Sequence, residues 1–334
     1  MRLEHVFESI DSHTFGAITS VIVAGVPHIP GKTMGEKMLA MQNDMDWIRT
    51  SMFWEPRGGD MTGGAILMDP CDPRADYGVL YMHHGGYMPM CGSQTIGVVT
   101  TLIEAGYITA REPETVVRLD TPAGLVEARA VVENGRCKSV SFQNIPCFLY
   151  KTSELDFGEF GPVEVDVAYG GNAFAIVRAE PFGLQLMPGN TDEMIRLGRI
   201  VLEKANAEIG FQHPEKPFIN EVDQVHWYCD PILDNTVNTR SAIVNFPKLV
   251  DRSPCGTGTS AHACTRFAKG QLKLNESFSQ ESLTGGKFIA RVIKPYSVGG
   301  CKGGIPELTG SAHITGFRKF IITPEDPLKY GFEV

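Results

Sequence analysis

The sequence predicts an α+β protein with much antiparallel sheet, organised around an internal duplication. Three observations carry this reading. Short β-rich runs bounded by turn residues recur along the chain, and segments with helical spacing are few. Two blocks then repeat around a cysteine: Met90-Cys91-Gly92-Ser93-Gln94-Thr95-Ile96-Gly97 and Pro254-Cys255-Gly256-Thr257-Gly258-Thr259-Ser260-Ala261.

The strand candidates, in order, are Ser20–Gly25, Gly78–Met82, Ser139–Phe142, Val163–Tyr169, Ala173–Val177 and Ser241–Phe246. Each combines β-branched or aromatic residues with flanking turn residues, and Val163–Tyr169 alternates cleanly before Gly170. Helices are expected over Gly35–Asn43, Asp46–Ser51 and Thr191–Ile209. The last takes Thr191 or Asp192 as its cap, with Ile195, Leu197, Ile200, Val201 and Leu202 among its apolar residues. The 36 glycines and 21 prolines suit a chain with many tight turns. No low-complexity linker interrupts it. The best domain boundary falls after Tyr107, near Thr115–Gly124, where a new strand series begins.

The two cysteine blocks read Cys-Gly-(Ser/Thr)-x-Thr, and each is followed by a run of small and apolar residues. Both runs stop at a glycine fifteen positions past the cysteine, Gly106 and Gly270. The hydroxyl residues are N-cap candidates and the glycines suit the C′ position, so each cysteine is expected at or just before a helix N-terminus. Backbone N–H groups there attract anions, and a thiol in such a place is more acidic and more reactive. The same N–H groups suit a carboxylate. Free cysteines are often buried, inert hydrophobes, and that is the expectation for Cys71, Cys137, Cys147, Cys229, Cys264 and Cys301. Cys91 and Cys255 differ because the surroundings repeat along with the residue. They read as two thiols facing one substrate. A looser match pairs the turn at Asp11–Gly16 with that at Tyr169–Asn172.

Other chemistries find little support. No Cys-x-x-Cys pair and no His-Glu-x-x-His spacing occurs, so zinc and thioredoxin patterns are missing. His83 and His84 are adjacent and read as structural or pocket-lining rather than a metal pair. The net charge of −9 argues against a general nucleic-acid surface. With 43% hydrophobic and 21% charged residues, the 334-residue chain has an ordinary globular composition and room for two domains. Two working thiols suit a reducing, cytoplasmic setting. Met1-Arg2-Leu3-Glu4-His5 has no apolar signal core behind it, and no segment approaches the length of a membrane span.

The motifs resemble those of the proline racemase superfamily, which includes proline racemases, 4-hydroxyproline 2-epimerases and trans-3-hydroxyproline dehydratases. The resemblance covers nearly the whole chain. It rests on Ile10-Asp11-Ser12-His13-Thr14, Glu55-Pro56-Arg57-Gly58, Gly85-Gly86-Tyr87-Met88-Pro89-Met90-Cys91-Gly92 and Gly170-Gly171-Asn172. It continues through Asp251-Arg252-Ser253-Pro254-Cys255-Gly256-Thr257-Gly258-Thr259-Ser260 and Gly310-Ser311-Ala312-His313-Ile314-Thr315-Gly316. The Asp251–Ser260 block is the most specific.

The resemblance implies a diaminopimelate-epimerase-like fold: two pseudo-symmetric β-rich lobes, each wrapping a central helix, with the site in the cleft between them. Residues 1–118 and about 315–334 would form the first lobe, with Cys91, and residues 119–314 the second, with Cys255. It implies chemistry without pyridoxal phosphate, metal or other cofactor. One cysteine thiolate removes the Cα proton and the other cysteine protonates the opposite face. The backbone N–H groups of Gly92, Ser93, Gly256 and Thr257 would hold the substrate carboxylate, and Asp251 the ring nitrogen. The chain departs from the usual pattern at Ser93, where hydroxyproline epimerases carry histidine. It departs again at Arg57-Gly58-Gly59, where Arg-Gly-His is usual, and at Asn245–Val250. The dehydratases replace the second cysteine with threonine, which this chain does not. The expected activity is therefore epimerisation or racemisation at Cα of a cyclic imino acid, with 4-hydroxyproline preferred. The alternatives are proline racemase, a 3-hydroxyproline epimerase or dehydratase, and a non-catalytic imino-acid-binding protein. The expected partner is a small-molecule substrate, proline or hydroxyproline, with no nucleic acid and no membrane. A homodimer is compatible with this reading.

Overall fold

The computed structural model describes residues 3–217, 219–234, 236–245 and 249–333. The chain divides into two compact units. One ends at Phe142 and resumes at Gly310, and the other is Gln143–Thr309.

In the first unit β1 (His5–Thr14) and β2 (Ala17–Ala24) form a hairpin with Asp11 opposite Ser20. Helices α1 (Met34–Asp44) and α2 (Trp47–Phe53) then cross to β3 (Gly63–Met68), which runs parallel to β2. β4 (Tyr77–His83) pairs antiparallel with β3, and the short β5 (Gly86–Met88) with β4. Helix α3 (Gly92–Glu104) follows. β6 (Glu114–Thr121) returns parallel to β4, and β7 (Gly124–Glu133) and β8 (Arg136–Gln143) continue antiparallel. The C-terminal strand His313–Ile322 pairs with the free edge of β1.

The second unit repeats this order. After β9 (Cys147–Asp156), the hairpin of β10 (Pro162–Tyr169) and β11 (Ala173–Arg178) matches β1–β2. Helix α4 (Thr191–Glu208) crosses to β12 (Gln224–Cys229), parallel to β11. β13 (Thr239–Asn245) and the two-residue β14 (Leu249–Val250) match β4 and β5. Helix α5 (Gly256–Ala268) comes next. β15 (Ser277–Glu281) then runs parallel to β13, and β16 (Lys287–Val298) and β17 (Cys301–Gly310) follow antiparallel. β17 pairs back onto β9, with Gly303 opposite Phe148, and β9 pairs with β10, closing the strands around α5.

Each lobe is thus β-rich and wraps one helix. Every residue of α3 from Gln94 to Ile103 is buried, as is every residue of α5 from Gly258 to Thr265. A helix buried on all faces must be built of small and apolar residues, which is why both runs lack charge until their last turn. Gly106 and Gly270 follow the two helices at C′ with φ +79° and +74°, the left-handed conformation that glycine adopts without cost. The amphipathic helices take the other face. Phe7, Ile48, Met52, Phe53 and Leu80 join α1–α2 to the first sheet, and Met194, Leu197 and Val201 of α4 meet Trp227 of the second. Fully burying one such side chain contributes about 1.5–3 kcal/mol.

Three expectations change. The boundary predicted near 115–124 falls inside β6, whose Leu119 sits opposite Tyr77 of β4. The first unit therefore runs on to Phe142 rather than ending at 118, because a parallel partner on β4 outweighs the local sequence break. Helix α4 takes Asn190 as its N-cap, not Thr191 or Asp192, since a 3-10 turn at Pro188–Asn190 feeds straight into it. Ile200 lies on its exposed side. The other strands and helices form where expected, and the Asp11–Gly16 and Tyr169–Asn172 turns are the equivalent hairpin turns of the two lobes. Phe246 of the predicted strand and Phe246, Pro247 and Lys248 of the departing segment lie outside the described residues, as do Met1 and Arg2 of the N-terminus. No helix among the described residues is long and apolar enough to cross a membrane.

Candidate active site

Cys91 and Cys255 are the N-cap residues of α3 and α5. The expected hydroxyl caps, Ser93 and Thr257, sit two residues further in, at the second helical position. Their hydroxyls face the thiols: Ser93 Oγ lies 3.5 Å from Cys91 Sγ, and Thr257 Oγ1 lies 3.4 Å from Cys255 Sγ. The first ladder bonds run from Thr95 N to Cys91 O and from Thr259 N to Cys255 O, both at 2.9 Å. Gly92, Ser93, Gly256 and Thr257 therefore supply N–H groups that precede the ladder, the set that binds anions at a helix start.

The two copies are not identical. Cys91 has an extended backbone (φ −139°, ψ 123°), whereas Cys255 is left-handed (φ 62°, ψ 115°). A non-glycine residue there carries roughly 1–3 kcal/mol of strain that its surroundings must hold. They do so through the preceding loop. Asp251 Oδ1 accepts from Ser253 N at 2.9 Å and Ser253 Oγ at 3.0 Å, and Ser253 Oγ accepts from Cys255 N at 3.1 Å. Gly258 N donates to Cys255 Sγ at 3.4 Å. The Asp251 carboxyl is pushed above its ordinary value by desolvation, against the pull of Ser253 and the Cys255 thiol. Asp251 thus anchors the loop that carries the second cysteine.

Neighbouring motifs brace the same helix starts. Thr14, at the end of β1, donates to Ser93 O at 2.8 Å. Gly170, in the β10–β11 turn, lies so close to α5 that a Cβ would fall 2.1 Å from Thr257 O. Arg57 serves elsewhere: it bonds Asp326 at 2.5 Å and the carbonyls of Leu328 and Lys329, pinning the C-terminal segment within its own unit. His83 Nδ1 accepts from Gly85 N at 3.1 Å, and the carbonyls of His83 and His84 bind the Arg49 guanidinium, a structural use of both residues. Burial raises the thiol pKa of Cys71, Cys137, Cys147, Cys229 and Cys301, that of Cys229 to about 11. These thiols are poor nucleophiles.

The description proline racemase applies to a family pattern that matches residues 9–333. The chain belongs to the proline racemase family. Its named relatives include a proline racemase and a 4-hydroxyproline 2-epimerase, and the enzyme class they share is isomerase. The proline racemase of Clostridioides difficile is 40% identical over 333 residues, 99% of each chain. The 4-hydroxyproline 2-epimerase of Streptosporangium roseum is 39% identical over 335 residues, again 99% of each. A hydroxyproline epimerase from Agrobacterium vitis, solved with bound trans-4-OH-L-proline, superposes with a TM-score of 0.86 at 33% identity, covering 100% of this chain and 97% of that one. The lobes accordingly have the diaminopimelate-epimerase-like fold that this family shares.

Sequence reasoning missed Thr14 and Ser253 as supports, although both lie inside quoted motifs. It also missed two buried residues outside any motif, Tyr81 and Gln280. Their signal is tertiary, because they reach the cysteine helices from other strands.

Proposed function

We propose that this protein inverts Cα of a cyclic imino acid, 4-hydroxyproline in the first instance, with Cys91 and Cys255 as its two proton carriers. The observation that carries the proposal is the matched pair of cysteine-capped helix starts, each with a hydroxyl at 3.4–3.5 Å from the sulfur, in a chain of this family. One cysteine, as thiolate, takes the Cα proton. The electron pair left on Cα is delocalised into the substrate carboxylate, held by N–H groups of Gly92, Ser93, Gly256 and Thr257. The other cysteine, as thiol, gives its proton to the opposite face. The enzyme leaves turnover with the two protonation states exchanged, and proton exchange of the two sulfurs with solvent restores them before the next turnover in the same direction. Asp251 is assigned to the ring nitrogen in addition to its bonds with Ser253. No cofactor takes part in these steps.

The preference for a hydroxylated ring is supported by the relative crystallised with trans-4-OH-L-proline and by the hydroxyl of Ser93 beside the first thiol. Plain proline is the second reading, favoured by the 40% identity to a proline racemase. Dehydration needs no second proton carrier, and retention of both cysteines weighs against it. A substrate panel of proline and its hydroxylated isomers, followed by polarimetry in deuterated water, tests the proposal. Inversion with deuterium entering Cα is expected. Binding without exchange would identify a non-catalytic imino-acid-binding protein, and loss of water from a 3-hydroxylated ring would identify a dehydratase.

A further inference from the structure

The carbonyl at the mouth of each cysteine helix is held by a threonine, and each threonine is held by a different buried side chain. In the first lobe Thr95 Oγ1 donates to Cys91 O at 2.7 Å, and the Tyr81 hydroxyl lies 2.7 Å from Thr95 Oγ1. In the second lobe Thr259 Oγ1 donates to Pro254 O at 3.0 Å. Gln280 Nε2 donates to both Pro254 O at 3.0 Å and Thr259 Oγ1 at 3.1 Å. Gln280 is oriented from behind by His262, whose Nδ1 lies 3.2 Å from Gln280 Oε1.

The two supports come from non-equivalent, neighbouring strands. Tyr77 of β4 stands opposite Leu119 of β6, and Thr239 of β13 stands opposite Gln280 of β15. Counting along the matched strands, Tyr81 corresponds to Ile243 and Gln280 to Leu119. The first lobe thus pairs a polar Tyr81 with an apolar Leu119, and the second an apolar Ile243 with a polar Gln280. All four are buried. Burying a polar side chain has a cost that a hydrogen bond must offset, and packing alone requires no polar group here. Yet each lobe keeps one, aimed at the same threonine. The carbonyl that Gln280 holds immediately precedes the left-handed Cys255.

We infer that Tyr81 and Gln280 are positioning residues, each setting the aim and reactivity of one cysteine: Tyr81 through Thr95 for Cys91, and Gln280 through Thr259 and Pro254 for Cys255. The inference rests on the assignment of these cysteines as the proton carriers. Tyr81→Phe removes a single hydroxyl, and Gln280→Leu copies the first lobe's Leu119. In the full chain, iodoacetamide labelling of each thiol is followed by mass spectrometry across pH, beside kcat and KM. Tyr81→Phe slows labelling of Cys91 about fivefold to tenfold and leaves Cys255 within about twofold. Gln280→Leu does the reverse. In both, kcat falls with KM nearly unchanged, by about fivefold to tenfold for the one hydrogen bond lost in Tyr81→Phe and by at least as much for Gln280→Leu, which loses the bonds to Pro254 O and Thr259 Oγ1. Adding Ile243→Tyr to Gln280→Leu rebuilds the support from the neighbouring strand β13, as in the first lobe, and recovers part of the loss. Equal slowing of both thiols, or of neither, overturns the inference. Should Gln280→Leu fail to fold, Thr259→Val is read by the same criterion. Labelling does not require turnover, so a wild-type protein inert toward every imino acid would overturn the function while the labelling pattern still decides this point.

Discussion

At the scale of single residues, the sulfur atoms and the hydroxyls beside them determine what can be tested. Cys91→Ala and Cys255→Ala are each expected to lower inversion by about 10²–10⁴-fold, the range for loss of a positioned acid or base. Each single variant retains one proton carrier, so exchange of the Cα proton from one face can survive. Polarimetry and mass spectrometry in deuterated water separate the two outcomes, and substantial inversion by either variant would sink the two-base mechanism. Ser93 is a different case. Its hydroxyl is 3.5 Å from Cys91 Sγ and its carbonyl is tied to Thr14, and the proposal gives it an adjusting role in which it does not carry the proton. Ser93→Ala should keep measurable epimerisation and lose preference for a hydroxylated ring over proline by about 0.5–1.5 kcal/mol. A loss as deep as that of the cysteine variants, with the fold intact, would place Ser93 in the proton path.

At the scale of elements, the proposed two-base mechanism requires one helix start to hold a thiolate while the other, of the same build, holds a thiol. The rate should therefore be bell-shaped in pH, and its two limbs belong to the pair rather than to either cysteine. A rate that climbs with pH and levels off, with no alkaline fall, would remove the requirement for a thiol. The helix starts also depend on turns from other elements. At Gly170 an added Cβ would lie 2.1 Å from Thr257 O and 2.9 Å from Ala261. Gly170→Ala must shift the β10–β11 turn away from α5, at a cost of about 1–3 kcal/mol. The expected signs are a lower urea midpoint and a fall in kcat beyond what the stability loss explains. An unchanged midpoint would mean that the turn yields freely.

At the scale of the whole molecule, burial of ionisable groups makes stability depend on pH. His226 and His262 pack edge to face with ring centroids 5.1 Å apart inside the second lobe. Burial lowers both pKa values, that of His226 to about 3, against an ordinary value near 6.5. The unfolded chain therefore binds their protons first. This contribution is fully present above about pH 6.5 and is lost as the pH falls toward the folded values, by at most about 1.4 kcal/mol per pH unit for each histidine. His226 lies beside the Gln280 side chain and the Gly258 N–H, but neither contact reaches normal hydrogen-bond geometry. His226→Phe should therefore keep the fold at neutral pH and flatten the acid loss. Urea midpoints at pH 5 and pH 7.5 check this, and identical slopes for variant and wild type would assign the acid sensitivity to other groups.

Local chemistry makes much of this legible in the sequence. The cysteine blocks, their terminal glycines and the apolar runs between them specify two buried helices, because capping and periodicity act within a few residues. The strands at Val163–Tyr169 and Ala173–Val177 were legible for the same reason. The break at 115–124 is not a boundary because β6 pairs with β4, Leu119 opposite Tyr77, a distant partner that no local pattern reveals. The cap of α4 shifted because the turn before it is itself helical. Tyr81 and Gln280 were invisible for a deeper reason. Each lies in an ordinary strand and becomes a support only when the sheet closes around its helix. The duplicated sequence determines that two cysteines sit at two helix starts. Only tertiary packing decides what stands behind each one, since a buried polar group takes its meaning from partners brought together by folding.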